Sequence, residues 1–183
     1  MSIKKYTVAL GMLSFLAVSC GEADLVDSTN LPKSNDVEMD PLEYRDFGND
    51  PFVFKIEDYT KQNETYRTAL WTGEYMQLTV MNILPGEDIG LEVHNDHDQF
   101  IRVEEGEGIV LMGDTEDDLS FERKVEDDFA IMIPAGKWHN VVNNSDEPLK
   151  LYSIYAPREH PHGAVHETRE EGIAAEEAAH DNH

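Results

Sequence analysis

Pro134-Ala135-Gly136-Lys137-Trp138-His139, with Asn143 four residues beyond His139, is the stretch whose reading decides the fold. Pro134 presets its own φ and Gly136 tolerates positive φ, so the segment predicts a tight turn feeding a strand. Side chains alternate along a strand, which puts His139, Val141 and Asn143 on one face, where they can look into a barrel.

Working upstream, Glu92-Val93-His94 is followed by Gln99 and then Gly106. Period two places Glu92 and His94 on one face, and Gln99, Ile101 and Val103 on one face of the next strand. From Pro51 to Tyr155 the chain consists of short β-branched and aromatic runs punctuated by Gly86, Gly90, Gly106, Gly113 and Gly136. That texture predicts an all-β barrel or sandwich, with strands at 52–56, 66–71, 76–83, 99–104, 108–112, 120–125, 129–133, 138–142 and 149–155. No helical period is long enough here to interleave a parallel sheet.

The 134–143 stretch matches the second cupin motif, P-x-G-x-x-H-x-x-x-N, at every fixed position, with Asp128 where that motif usually begins with Gly. The 92–106 spacing resembles the first motif, with Glu92 in place of its first His and Gln99 in place of its Glu. Over residues 51–165 the chain resembles a bacterial group of single-domain cupins of the type-2, phosphomannose isomerase-like kind, notably in Leu70-Trp71-Thr72-Gly73 and in Tyr155-Ala156-Pro157 through His160-Pro161-His162-Gly163. The resemblance implies a double-stranded β-helix, a jelly-roll-like cupin barrel over 51–157, with barrels that pair as homodimers.

The resemblance also implies a metal site made of Glu92, His94, Gln99 and His139. Two imidazoles, a carboxylate and an amide oxygen suit a borderline divalent ion, and zinc, iron, manganese and nickel all remain open. The same four residue types, in another order, make up the zinc site of cupin-type phosphomannose isomerases. His97 and Asp98 are the substitutes if the loop register shifts by one. The function expected is binding or turnover of a small molecule in the barrel interior, with oxygenase and isomerase or epimerase chemistry both open and a non-catalytic, sugar-like binding module at the envelope as the alternative. Parity places Arg102 opposite Gln99 and leaves Lys137 as the only basic rim residue, which disfavours a phosphosugar. Trp71, Trp138 and Tyr152 read as core rather than as stacking platforms.

At the N-terminus, Lys4 and Lys5 precede an apolar run from Tyr6 to Val18, too short to span a bilayer, so residues 1–19 read as a signal peptide. Leu16-Ala17-Val18-Ser19-Cys20 resembles a bacterial lipobox. Lipidation of Cys20 implies a lipoprotein of the cell envelope, outer membrane or periplasmic side, held to the membrane by that anchor alone; ordinary cleavage after Ser19 is the alternative. Residues 20–50 are polar and acidic and predict a flexible tether. Residues 158–183 predict a polar, His-rich tail with a short helix from Thr168 to Ala179. The net charge of −24 argues against nucleic acid as a partner. Cys20 is the single cysteine, so no internal disulfide forms.

Overall fold

The computed structural model describes residues 42–180. The signal peptide expected at 1–19, Cys20 and the first part of the tether expected at 20–50 lie outside the described residues. Residues 42–50 pack on the folded part: the Phe47 amide donates to the Leu70 carbonyl and the Thr72 hydroxyl to Asp46.

The elements run α1 (Ile56–Gln62), β1 (Arg67–Thr72), β2 (Gln77–Ile83), β3 (Asp98–Glu105), β4 (Glu107–Gly113), β5 (Phe121–Glu126), β6 (Ala130–Ile133), β7 (Trp138–Val142), β8 (Leu149–Ala156), β9 (Val165–His166) and α2 (Arg169–His180). The strand expected at 52–56 is not formed. Its aromatic residues Phe52 and Phe54 instead lead into α1, a helix too short for a helical period to be read from sequence.

The strands make two sheets, one of six in the order β6-β3-β8-β2-β1-β9 and one of three in the order β5-β4-β7. Among the described residues neither sheet closes on itself, which overturns the barrel expectation. Closure requires a continuous hydrogen-bonded ladder around the circumference, whereas inward–outward alternation is the same in an open two-sheet packing. The large sheet ends instead at the four-residue β6 and the two-residue β9.

Direct cross-strand partners share a face, so the register sorts the side chains of the large sheet. Inward come Gln77, Thr79, Met81 and Ile83 of β2, Gln99, Ile101 and Val103 of β3, and Leu149, Leu151, Ser153 and Tyr155 of β8. Val110, Met112, Val125 and Val141 of the small sheet meet the apolar members of this set in one buried cluster. The outer face carries a second cluster of Tyr59, Leu70, Leu78 and Val80, covered by α1, Phe47, Phe52 and Phe54 and flanked by Trp71 and Tyr152. Trp71 and Tyr152 therefore belong to packing, and Arg102 lies on the outer face, paired with Glu104 and Asp128.

The free edge of β7 is taken up by residues 86–92. The Glu92 and His139 backbones exchange both hydrogen bonds at 3.0 and 2.9 Å, and the Ile89 amide donates to the Val141 carbonyl. The opening between this edge and β1 is covered by α2: Gly172 lies so close to Tyr66 that a Cβ would sit 2.3 Å from the ring, Ile173 reaches Gly90, and Arg169 donates to Asp88 at 2.7 Å.

Candidate metal centre

Local backbone chemistry knits together the two sequence stretches that carry the candidate ligands. Gly136, at φ +77°, turns the chain into β7 and donates its amide to the His94 carbonyl at 2.7 Å, while the Ala135 amide is received by Asp98. Asp98 is thereby committed to the turn and belongs to neither cluster of candidate ligands among the described residues. Asn143 is structural as well, its amide nitrogen bridging the carbonyls of Ile83 and Glu147 at 2.8 Å each.

The four expected site residues, Glu92, His94, Gln99 and His139, are brought together. His139 is fully buried; its Nε2 lies 2.9 Å from Gln99 Oε1 and 3.2 Å from Glu92 Oε1. His94 Nε2 lies 3.4 Å from the same Glu92 oxygen, and the two imidazole centroids are 5.4 Å apart. One ligand atom from each of Glu92, His94 and His139 falls within 4.8 Å of the others, as does one from each of His94, His97 and Glu159. These buried His and Glu clusters form sites able to coordinate a divalent metal ion.

Hydrogen bonding fixes which atoms face inward. His139 Nδ1 lies 2.9 Å from the Lys137 carbonyl, which can only accept, so that nitrogen carries the proton and Nε2 presents a lone pair. Gln99 donates its amide nitrogen to the Ser153 hydroxyl at 2.9 Å, so its oxygen points at His139. Three acceptors, His139 Nε2, Glu92 Oε1 and Gln99 Oε1, thus converge at the centre, and His94 Nε2 is buried beside them without a hydrogen-bond partner among the described residues. Lone pairs turned on one another at low dielectric require a cation between them, either a proton or a metal ion. A set of N and O donors with hydrogen-bonded outer partners fits the metal.

Electrostatics follow from the same contacts. Burial by itself raises the Glu92 carboxyl, but the imidazoles of His139 and His94 hold it well below the usual carboxylate range. Burial disfavours the His94 imidazolium, yet Glu92 and Glu159 lift it above the ordinary histidine value. Tyr155, edge-on to His94 at 5.8 Å, is pushed far up by burial and stays a neutral phenol.

Several residues around the centre escaped sequence reasoning. Glu159 lies 3.6 Å from His94 Nδ1 and 3.3 Å from His97 Nε2, and His97 stacks on His94 at 4.5 Å. His160, expected in a tail without specific role, is buried; its backbone amide donates to Gln77 Oε1 at 2.8 Å, and the Gln77 amide nitrogen donates to the His160 carbonyl at 3.0 Å. Arg67 is fully buried. The available signal was weak: an arginine opening a strand of otherwise apolar and Thr residues. A cavity of about 700 Å³ opens over His94 and is lined also by Arg158, Glu159, His160, His166 and Glu176. Lys137 is at the surface, paired with Asp114.

Residues 79–155 match the family model described as "Cupin domain". The chain is 58% identical over 133 residues to YrkC of Bacillus subtilis (strain 168), covering 73% of this chain and 72% of that one. It is 39% identical over 118 residues to L612 of Acanthamoeba polyphaga mimivirus, covering 64% and 72% respectively. Among solved structures, BH2720 from Bacillus halodurans is similar with 60% identity and a TM-score of 0.71, over 72% of this chain and 99% of that one.

Proposed function

Because this chain belongs to the cupin family, we propose that it holds a first-row divalent ion on Glu92, His94, Gln99 and His139 and presents it to a small molecule in the cavity over His94. The carrying observation is the convergence of acceptors on His139 Nε2, with no donor among them once Nδ1 is committed to Lys137. The bound ion would act as a Lewis acid toward an oxygen of the ligand. Glu92 supplies negative charge, Gln99 a neutral oxygen, and Glu159, 3.6 Å from His94 Nδ1, adds negative charge beside that imidazole. The apolar inter-sheet cluster excludes water on the side away from the cavity.

Elemental analysis of the purified protein, metal-depleted and then reconstituted with zinc, iron(II), manganese or nickel, tests this. One equivalent in wild type and a near-complete loss in Glu92→Ala and His139→Ala support the assignment; equal uptake by all three defeats it. A second reading, a binding module without turnover, is favoured by Tyr155. Burial pushes that phenol well above its ordinary value, which disfavours it as a base beside the centre. In that case His94→Ala and His139→Ala abolish metal yet leave ligand affinity unchanged.

We also propose envelope anchoring through Cys20, on the strength of residues 1–20 alone. No helix among the described residues is long and apolar enough to cross a membrane. Mass spectrometry of the mature N-terminus decides, and a chain beginning with unmodified Cys20 ends the anchor hypothesis.

A further inference from the structure

Arg67 stands in a cross-strand row between His166 of β9 on one side and Met81, Leu151 and Val103 on the other, the last three apolar and buried. A fully buried guanidinium is costly unless its donors are matched. Here only Nη1 is matched, to Glu176 of α2 at 2.6 Å, while Nε and Nη2 have no partner among the described residues. The face of the group rests against the Tyr66 ring at 5.4 Å. A guanidinium fork suits a planar acceptor with two oxygens, and Glu176 engages one arm of it.

Glu176 also lines the cavity that reaches His94. Its helix is fixed at the opposite end, where Arg169 pairs with Asp88 and Gly172 packs on Tyr66. A carboxylate that took the Glu176 position would lie in the same cavity as the candidate metal ligand. We propose that Arg67 anchors the carboxylate of a small organic acid entering the cavity over His94, and that Glu176 occupies this anchor when the acid is absent. The inference rests on the reading of that cavity as the ligand site and narrows its ligand class.

A carboxylate matches the Glu176 carboxylate that it would replace on the guanidinium. Among the described residues Arg67 is the cation paired with Glu176 and Arg158 also lines the cavity, while His160, which Arg67 also influences, is held neutral by burial and Glu92 adds negative charge nearby. Lys137, the basic group legible in the sequence, points to solvent and takes no part.

The test is calorimetric titration of the full chain with benzoate and pyruvate, each against its uncharged amide, in wild type, Glu176→Ala, Glu176→Gln and Glu176→Ala/Arg67→Met. Removing the internal competitor is expected to tighten carboxylate binding by about tenfold or more, leave the amides unbound, and lose the gain when Arg67 is also replaced. The inference is overturned if neither acid binds Glu176→Ala more tightly than wild type, if the amides bind equally well, or if the double variant retains the affinity. Should the double variant fail to fold, Arg67→Lys, which keeps the charge but not the fork, takes its place and is expected to weaken binding. Metal content is measured in the same samples. Metal retained with no gain in carboxylate binding removes the anchor alone, whereas metal absent from wild type removes the metal reading and leaves the comparison of Glu176 variants standing.

Discussion

The two ends of the inter-sheet layer are built from the same strands with the same parity, and they differ in everything else. At one end Ile83, Met81, Leu149, Leu151 and Val103 form a buried apolar cluster. At the other, two to six residues away on the same strands, Gln77, Ser153, Tyr155 and Gln99 face the layer, joined from β7 by His139. Within β7 the change takes place between Val141 and His139. The contrast teaches that burial alone does not assign a role. His139 and Leu151 are equally inaccessible, yet one removes apolar surface from water and the other aims a lone pair at two oxygens.

The contrast can be broken most forcefully at the apolar end. Leu151→Ala is expected to cost about 3 kcal/mol, read from urea unfolding, through lost burial and the cavity left behind. It should leave metal stoichiometry unchanged, and a loss of metal there would mean that the two ends are not separable. At the polar end, Gln99→Glu places a second carboxylate against Glu92 in a buried site. We expect the chelated protein to lose about 2 kcal/mol and to regain it on adding a divalent ion, since only a cation relieves the two acidic groups. A chelated Gln99→Glu protein as stable as wild type would argue that the centre is open to solvent.

Acid sharpens the comparison further, because only the polar end titrates. Burial pushes His160 down to about 2. In the unfolded chain it takes up a proton near the ordinary histidine value of about 6.5, so the unfolded state binds more protons throughout that window. Its contribution to stability is present above about pH 6.5 and is lost progressively as pH falls toward 2. His160→Gln should therefore lose less stability than wild type between pH 7 and pH 5, measured as the shift in urea midpoint. The smallest effect is expected far from both ends. Asp128 holds φ +70° in the turn before β6, where Gly is unstrained, so Asp128→Gly should change stability by about 1 kcal/mol or less and leave metal uptake intact.

Period two was legible because it is local. Alternation puts His139 and Gln99 on inward strand faces, and the strand at 138–142 coincides with β7, whereas Glu92 lies outside the strands and reaches His139 through an isolated bridge. The Asp128 backbone accounts for the Gly that the motif has at that place, since Asp is among the few side chains that tolerate positive φ. The helix at 56–62 was missed because it is a seven-residue element held by aromatic packing on the outer face rather than by its own period. Arg67 was missed for a different reason. Its partner is 109 residues away, on a helix that reads from sequence as a solvent-exposed run of Ala and Glu.

The sequence by itself determined the turns, the alternation and the chemical types available at positions 92, 94, 99 and 139, because each follows from backbone geometry within a few residues. Tertiary structure alone decided that the two sheets stay open, that His139 turns Nε2 inward, that His160 is buried, and that α2 sets a carboxylate on Arg67. Those outcomes depend on contacts between segments distant along the chain, and no local period encodes which distant edge a strand or helix will meet.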